Sequence, residues 1–137
     1  MRSFNLHHLD TDEKAGWDDV QSLMDRIESG AEGRPEFEIW ELGDGPMIVA
    51  VALAAMGDME AWILRRSKKG MSYFLARGNG SEHYECIYLG CPESVRDSCL
   101  LSRADAELGI KTLIQRQKAQ IGWQWIPVTS ALERLEG

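Results

Sequence analysis

Five short apolar-rich segments, each closed by a glycine-bearing connector, limit what this chain can become more than any other feature. They run over residues 36–42 (EFEIWEL), 46–54 (PMIVAVALA), 59–66 (MEAWILRR), 71–77 (MSYFLAR) and 83–89 (HYECIYL). The connectors GDG, AMGD, SKKG and GNGSE have the length and glycine content of hairpin turns. Links this short cannot carry the crossover that parallel neighbours require, so an antiparallel meander is expected. The second segment is apolar on both faces and belongs in the middle of a sheet. The first alternates Glu36, Phe37, Glu38, Ile39 and then carries Trp40 and Leu42. That shift of phase predicts a bulge, and the glutamates predict an edge strand on which charge discourages stray pairing.

Helical periodicity brackets the strands. Trp17, Val20, Leu23, Met24 and Ile27 form one stripe, with Thr11 or Asp12 as cap and Gly30 as stop. Further on, Ser102 and Asp105 form a capping signal ahead of Ala106, Ile110, Leu113 and Ile114, which share a face. Residues 121–126 alternate as a short final strand that Pro127 ends, and TSALERLEG is expected to add a helical turn. GCPESVRD, between the meander and the second helix, is expected to be a loop. The predicted architecture is α+β, an antiparallel β-meander of about five to six strands with an N-terminal and a C-terminal helix packed on one face. All 137 residues are expected to form a single domain.

Charge narrows the partner. Residues 1–60 hold 14 acidic and 4 basic side chains, whereas residues 61–137 hold 8 and 11. An acidic half repels phosphates, so no direct nucleic-acid contact is expected. It attracts a basic protein surface, although acidic surface also serves simple solubility. No apolar run reaches the roughly 20 residues of a membrane span, so no membrane partner is expected. Three cysteines without a secretory signal predict free thiols and a cytoplasmic location.

Chemistry-bearing residues are few. His83, Cys86, Cys91 and Cys99 lie close in sequence, yet on a strand His83 and Cys86 face opposite sides of the sheet. A shared metal would need the strand broken, so no metal site and no cofactor are expected. Cys91, in the expected loop, has no histidine placed to activate it, and His7 and His8 are expected to alternate across an edge strand. Catalytic residues: none; the chain is not expected to be an enzyme. Trp17, Trp62 and Trp123 fit core positions, and Trp40 and Trp125 are the tryptophans expected to be partly exposed. Burial beside a bulge and a place in a protein interface both remain open for Trp40.

The run YECIYLGCPESVRDSCLLSRADAELGIKTLIQRQKAQIGWQW resembles the closing segment of the Imm1 family of immunity proteins. In that pattern a last sheet strand (84–89) leads to a short hydrophobic strand (99–101), a helix (103–118) and a tryptophan-bearing strand (123–125). The family's characteristic tryptophan corresponds to Trp123 or Trp125. The resemblance implies a small acidic α+β protein of a bacterial polymorphic toxin system. It would bind and neutralise a cognate secreted toxin, a nucleic-acid-targeting deaminase or nuclease, by stoichiometric occlusion. With it, Glu36, Glu38, Trp40, Glu41 and Asp44 become the expected toxin-binding set. The other expectation from size and acidity is a secretion chaperone or adaptor that holds an effector, and such proteins usually dimerise.

Overall fold

A computed structural model describes residues 4–8, 11–40, 48–68, 70–115 and 122–134. The strands are β1 (Phe4–His8), β2 (Thr11–Ala15), β3 (Glu36–Trp40), β4 (Ile48–Met56), β5 (Met59–Lys68), β6 (Met71–Arg77), β7 (His83–Tyr88), β8 (Cys91–Arg96), β9 (Trp123–Pro127) and β10 (Leu132–Arg134). The helices are α1 (Trp17–Glu28), α2 (Arg103–Ile114) and the single turn α3 (Val128–Ala131), with a 3-10 turn at Asp97–Cys99. Among the described residues no helix is long and apolar enough to cross a membrane.

Among the described residues the strands form one forked, 10-stranded antiparallel sheet, so the expected five to six undercounts them. β4 is its trunk. One edge of β4 pairs along its whole length with β5, which continues to β6 and β9. The other edge pairs first with β3, from Ile48 to Ala52, and then with β7 at Ala55. Beyond β3 lie β1 and β2; beyond β7 lie β8 and β10. The consecutive hairpins β3–β4–β5–β6 form the predicted meander, but β7 does not continue it. The five-residue link 78–82 carries the chain away from β6, whose free edge is taken by β9.

Two apolar clusters follow from strand alternation. On one face of the main sheet, Phe37, Ile39, Val49, Val51, Leu53, Trp62, Leu64 and Leu75 pack against both long helices. α1 contributes Val20, Leu23, Met24 and Ile27, each buried side chain adding roughly 1.5–3 kcal/mol. α2 contributes Ala106, Ile110 and Ile114, and its Gly109 lets it lie close to the sheet. A Cβ built there would sit 2.6 Å from Leu75 Cδ2 and 3.0 Å from Leu64 Cδ2. On the opposite face, Ala52, Ala54, Ile63, Phe74, Ala76 and Ile126 are covered by Cys86, Tyr88, Val95 and Cys99, with Ala131 of α3. The β7–β8–β10 arm is therefore a partial third layer.

Several local expectations change. Residues 11–15 form β2, paired to β1, so the first helix starts later, capped at Gly16, whose N–H donates to Asp19 Oδ2 at 2.8 Å. The second helix begins as expected, with the Asp105 N–H donating to Ser102 Oγ at 3.2 Å. GCPESVRD is not a loop: six of its residues form β8, and Cys91 is the first, paired opposite Tyr88. β3 is not an edge strand, since β1 covers one side and β4 the other. β1 likewise lies between β2 and β3, so His7 and His8 are not on an edge. Nor does β3 bulge between Glu36 and Trp40, where its register to β4 is continuous from Glu36↔Ala52 to Trp40↔Ile48; Leu42 lies outside the described residues. Trp40 simply shares the face of Glu36 and Glu38.

Candidate functional site

The β7–β8–β10 arm covers only part of the second sheet face. Where it stops, strand register lays out an open row: His7 of β1 is opposite Glu38 of β3, Glu38 opposite Ala50 of β4, and Ala50 opposite Arg65 of β5. The neighbouring row runs from Glu36 through Ala52 to Ile63. Two alanines on β4 thus form a low floor between a carboxylate strand and an arginine strand. With about 4.8 Å between adjacent strands, Glu38 and Arg65 stand nearly 10 Å apart at the backbone. The cleft holds about 260 Å³ and is closed at its inner end by Tyr88 and Leu89, with Arg34 also on its lining.

Three of the five expected binding residues, Glu36, Glu38 and Trp40, meet on this face. The glutamates are half-buried, and Trp40 is 43% exposed, resolving its two possible environments in favour of solvent. Its ring lies 6.0 Å from that of His7, centroid to centroid. Glu41 and Asp44 lie outside the described residues. Arg65 Nε is buried without a hydrogen-bond partner among the described residues. The cleft therefore carries both signs of charge, separated by its alanine floor.

Tyr88 ties the cleft to the core. Its ring meets Phe74 edge-on at 5.6 Å, and burial pushes its hydroxyl up to about 12, with Arg65 opposing that rise. Leu89 has φ 52° and Gly90 φ 80°, the two left-handed residues of a tight turn closed by Tyr88↔Cys91. A leucine at a position that favours glycine or asparagine, 38% exposed on the rim of a cleft, is a strained residue held where a partner can reach it. The sequence gives no Asn-Gly or Asp-Gly signal there, which is why Leu89 looks like strand and the next residues like loop.

The cysteine and histidine segment makes no ligand set. His83 is exposed on β7 and Cys86 is buried, as strand parity requires. All three cysteines are free thiols, and no metal-holding cluster occurs among the described residues. Burial raises Cys86 and takes Cys99 up to about 11, which disfavours thiolate at both. Among the other tryptophans Trp62 is buried, donating its indole N–H to Glu28 at 3.1 Å, and Trp17, Trp123 and Trp125 are half-buried. Arg66 lies over the Trp125 ring, 4.6 Å from its centroid. Comparison with family models, curated proteins and solved structures gave no match to this chain.

Proposed function

We propose that this protein is an immunity protein that neutralises a toxin by occupying its active surface, with the open sheet face as its binding surface. The observation that carries this reading is the gathering of Glu36, Glu38 and exposed Trp40 on one face of a well-supported strand. A toxin that acts on nucleic acid holds phosphate with lysine and arginine. Glu36 and Glu38 are placed to meet such cations, and Trp40 supplies the aromatic anchor that interfaces concentrate their energy on. Arg65 and Arg34 add a second sign of charge, which fixes register and excludes partners that are merely basic. Of the Imm1-like ending, the Ser102-capped helix and the tryptophan-bearing strand form and lie beneath this face, whereas residues 99–101 are the end of a 3-10 turn and a single bridge from Leu101 to Trp62, not the expected strand.

The test is coexpression with the product of the adjacent gene. Wild-type protein should form a stoichiometric complex and protect cells from that product. Glu38→Lys with Trp40→Ala should lower affinity by at least about a hundredfold, as loss of interface anchors does. No complex and no protection would remove the proposal.

A further inference from the structure

A second surface lies at the other end of β7. β7 meets β4 at one pair only, Ala55↔Ile87, because β4 turns away at Gly57. From His83 to Cys86 the β4-facing edge of β7 has no ladder partner among the described residues, whereas its other edge is paired to β8 throughout. The gap opens into a hollow of about 560 Å³ lined by Met56, Met59, Tyr84, Glu85, Asp97 and Leu100. Met59 is 68% exposed and Tyr84 49%. Large apolar side chains gathered beside an open strand edge mark a place for another chain rather than ordinary surface.

Charge selects that chain. Among the described residues the lining contains two acids and neither lysine nor arginine. Exposed Asp58, Glu60 and Glu82 flank the same lining residues in sequence, and Tyr84 donates its hydroxyl to Glu82 at 3.3 Å. Asp97 Oδ1 is buried against Gly80 with no hydrogen-bond partner among the described residues. We infer that the open edge of β7 binds an extended segment of another protein as an added strand. Its alternate apolar side chains enter the hollow, and its lysines or arginines meet Glu85 and Asp97. Main-chain pairing supplies the affinity in this mode, and the pocket for alternate side chains supplies the selectivity. Methionine at the lining suits it to repack around different apolar guests. This surface shares no lining residue with the open sheet face, so the inference stands whether or not the toxin-binding proposal does.

A fluorescein-labelled ten-residue peptide alternating valine and lysine is the probe, titrated against the full chain at about 150 mM salt to suppress long-range attraction. Binding should be saturable and should shift the backbone amide resonances of residues 83–87. Met59→Ser with Tyr84→Ser, both at exposed positions, should weaken it by at least about tenfold, and Glu85→Lys by a similar factor. Glu38→Lys and Trp40→Ser should leave it within about twofold, separating this surface from the open sheet face. Methylating alternate peptide nitrogens on the pairing side should abolish binding, because it removes the main-chain donors. The inference is overturned by no binding, by an unchanged affinity in the Met59/Tyr84 variant, or by indifference to N-methylation. Tighter binding of a helical leucine–lysine peptide overturns it in favour of a helix as occupant. A concentration-dependent dimer lost in Met59→Ser overturns it in favour of a second copy of this chain.

Discussion

Leu89 and Tyr88 are adjacent, yet each stores a different kind of energy. Leu89 is held at φ 52°, where its Cβ crowds the backbone, at a cost of roughly 1–2 kcal/mol relative to glycine. Leu89→Asn should therefore raise the melting temperature by about 2–5 °C, since asparagine tolerates this conformation. A thermal melt that moves down instead would show that the leucine side chain contributes more at the rim than its backbone costs. Accessibility and acidity together divide the cysteines. At pH 8 a thiol raised to about 11 is thiolate in only roughly one molecule per thousand, so Cys99 should resist a thiol reagent, and buried Cys86 with it. Cys91 is half-exposed at the start of β8, and one equivalent of reagent should react with the native protein. Three should react after unfolding, matching the three free thiols.

Between elements, the most specific junction is Arg103. Its guanidinium reaches Asp25 Oδ1 at 2.9 Å, Glu28 Oε1 at 2.5 Å and Glu107 Oε2 at 3.1 Å, and donates to the Gln21 carbonyl at 3.1 Å. One side chain at the start of α2 thus closes much of α1, and Glu28 also accepts from buried Trp62. With the Arg103 side chain 23% exposed, salt and water weaken but do not abolish these bonds. Arg103→Met keeps the stem and removes the donors. It should cost roughly 1–3 kcal/mol in urea denaturation, with Arg103→Lys recovering only part, because the forked geometry is lost. At this scale the legible features were those written locally. The α1 stripe and the Ser102 cap depend on neighbours in sequence, and both appear where expected. β8 was missed because Pro92, Glu93 and Ser94 resemble a polar loop, whereas pairing to β7 and β10 makes them strand. Gly109 carries no local signal either, since the reason for it lies in Leu64 and Leu75 on other strands.

Over the whole molecule, the β7–β8–β10 arm decides what the sheet exposes. It seals one part of the second face through Tyr88, Phe74 and Val95 and leaves the row from His7 to Arg65 open. Alkaline pH should test that seal. The unfolded chain loses a tyrosine proton near pH 10, whereas folded Tyr88 keeps its own to about 12. The contribution of Tyr88 is thus fully present below pH 10 and falls as pH rises from 10 to 12, by of the order of 2–3 kcal/mol. Stability curves of the wild type and Tyr88→Phe over that range should diverge, the phenylalanine variant losing less. An identical decline would exclude Tyr88 as the source.

Alternation and short connectors were enough to specify four strands of the meander, the two amphipathic helices and the α+β class, because these depend on the period of a few neighbouring residues. The same alternation separated His83 from Cys86, whereas it was the unbroken register of β3 to β4 that put Trp40 on the side of Glu36 and Glu38. Pairing partners distant in sequence settled the rest. β1 and β4 enclosed β3 and removed its edge, β9 took the free side of β6, and β7 left the meander to join the far end of β4. Hydrogen-bond ladders satisfy any extended backbone equally well, so local sequence does not choose among such partners; the choice came from which apolar faces could be buried together.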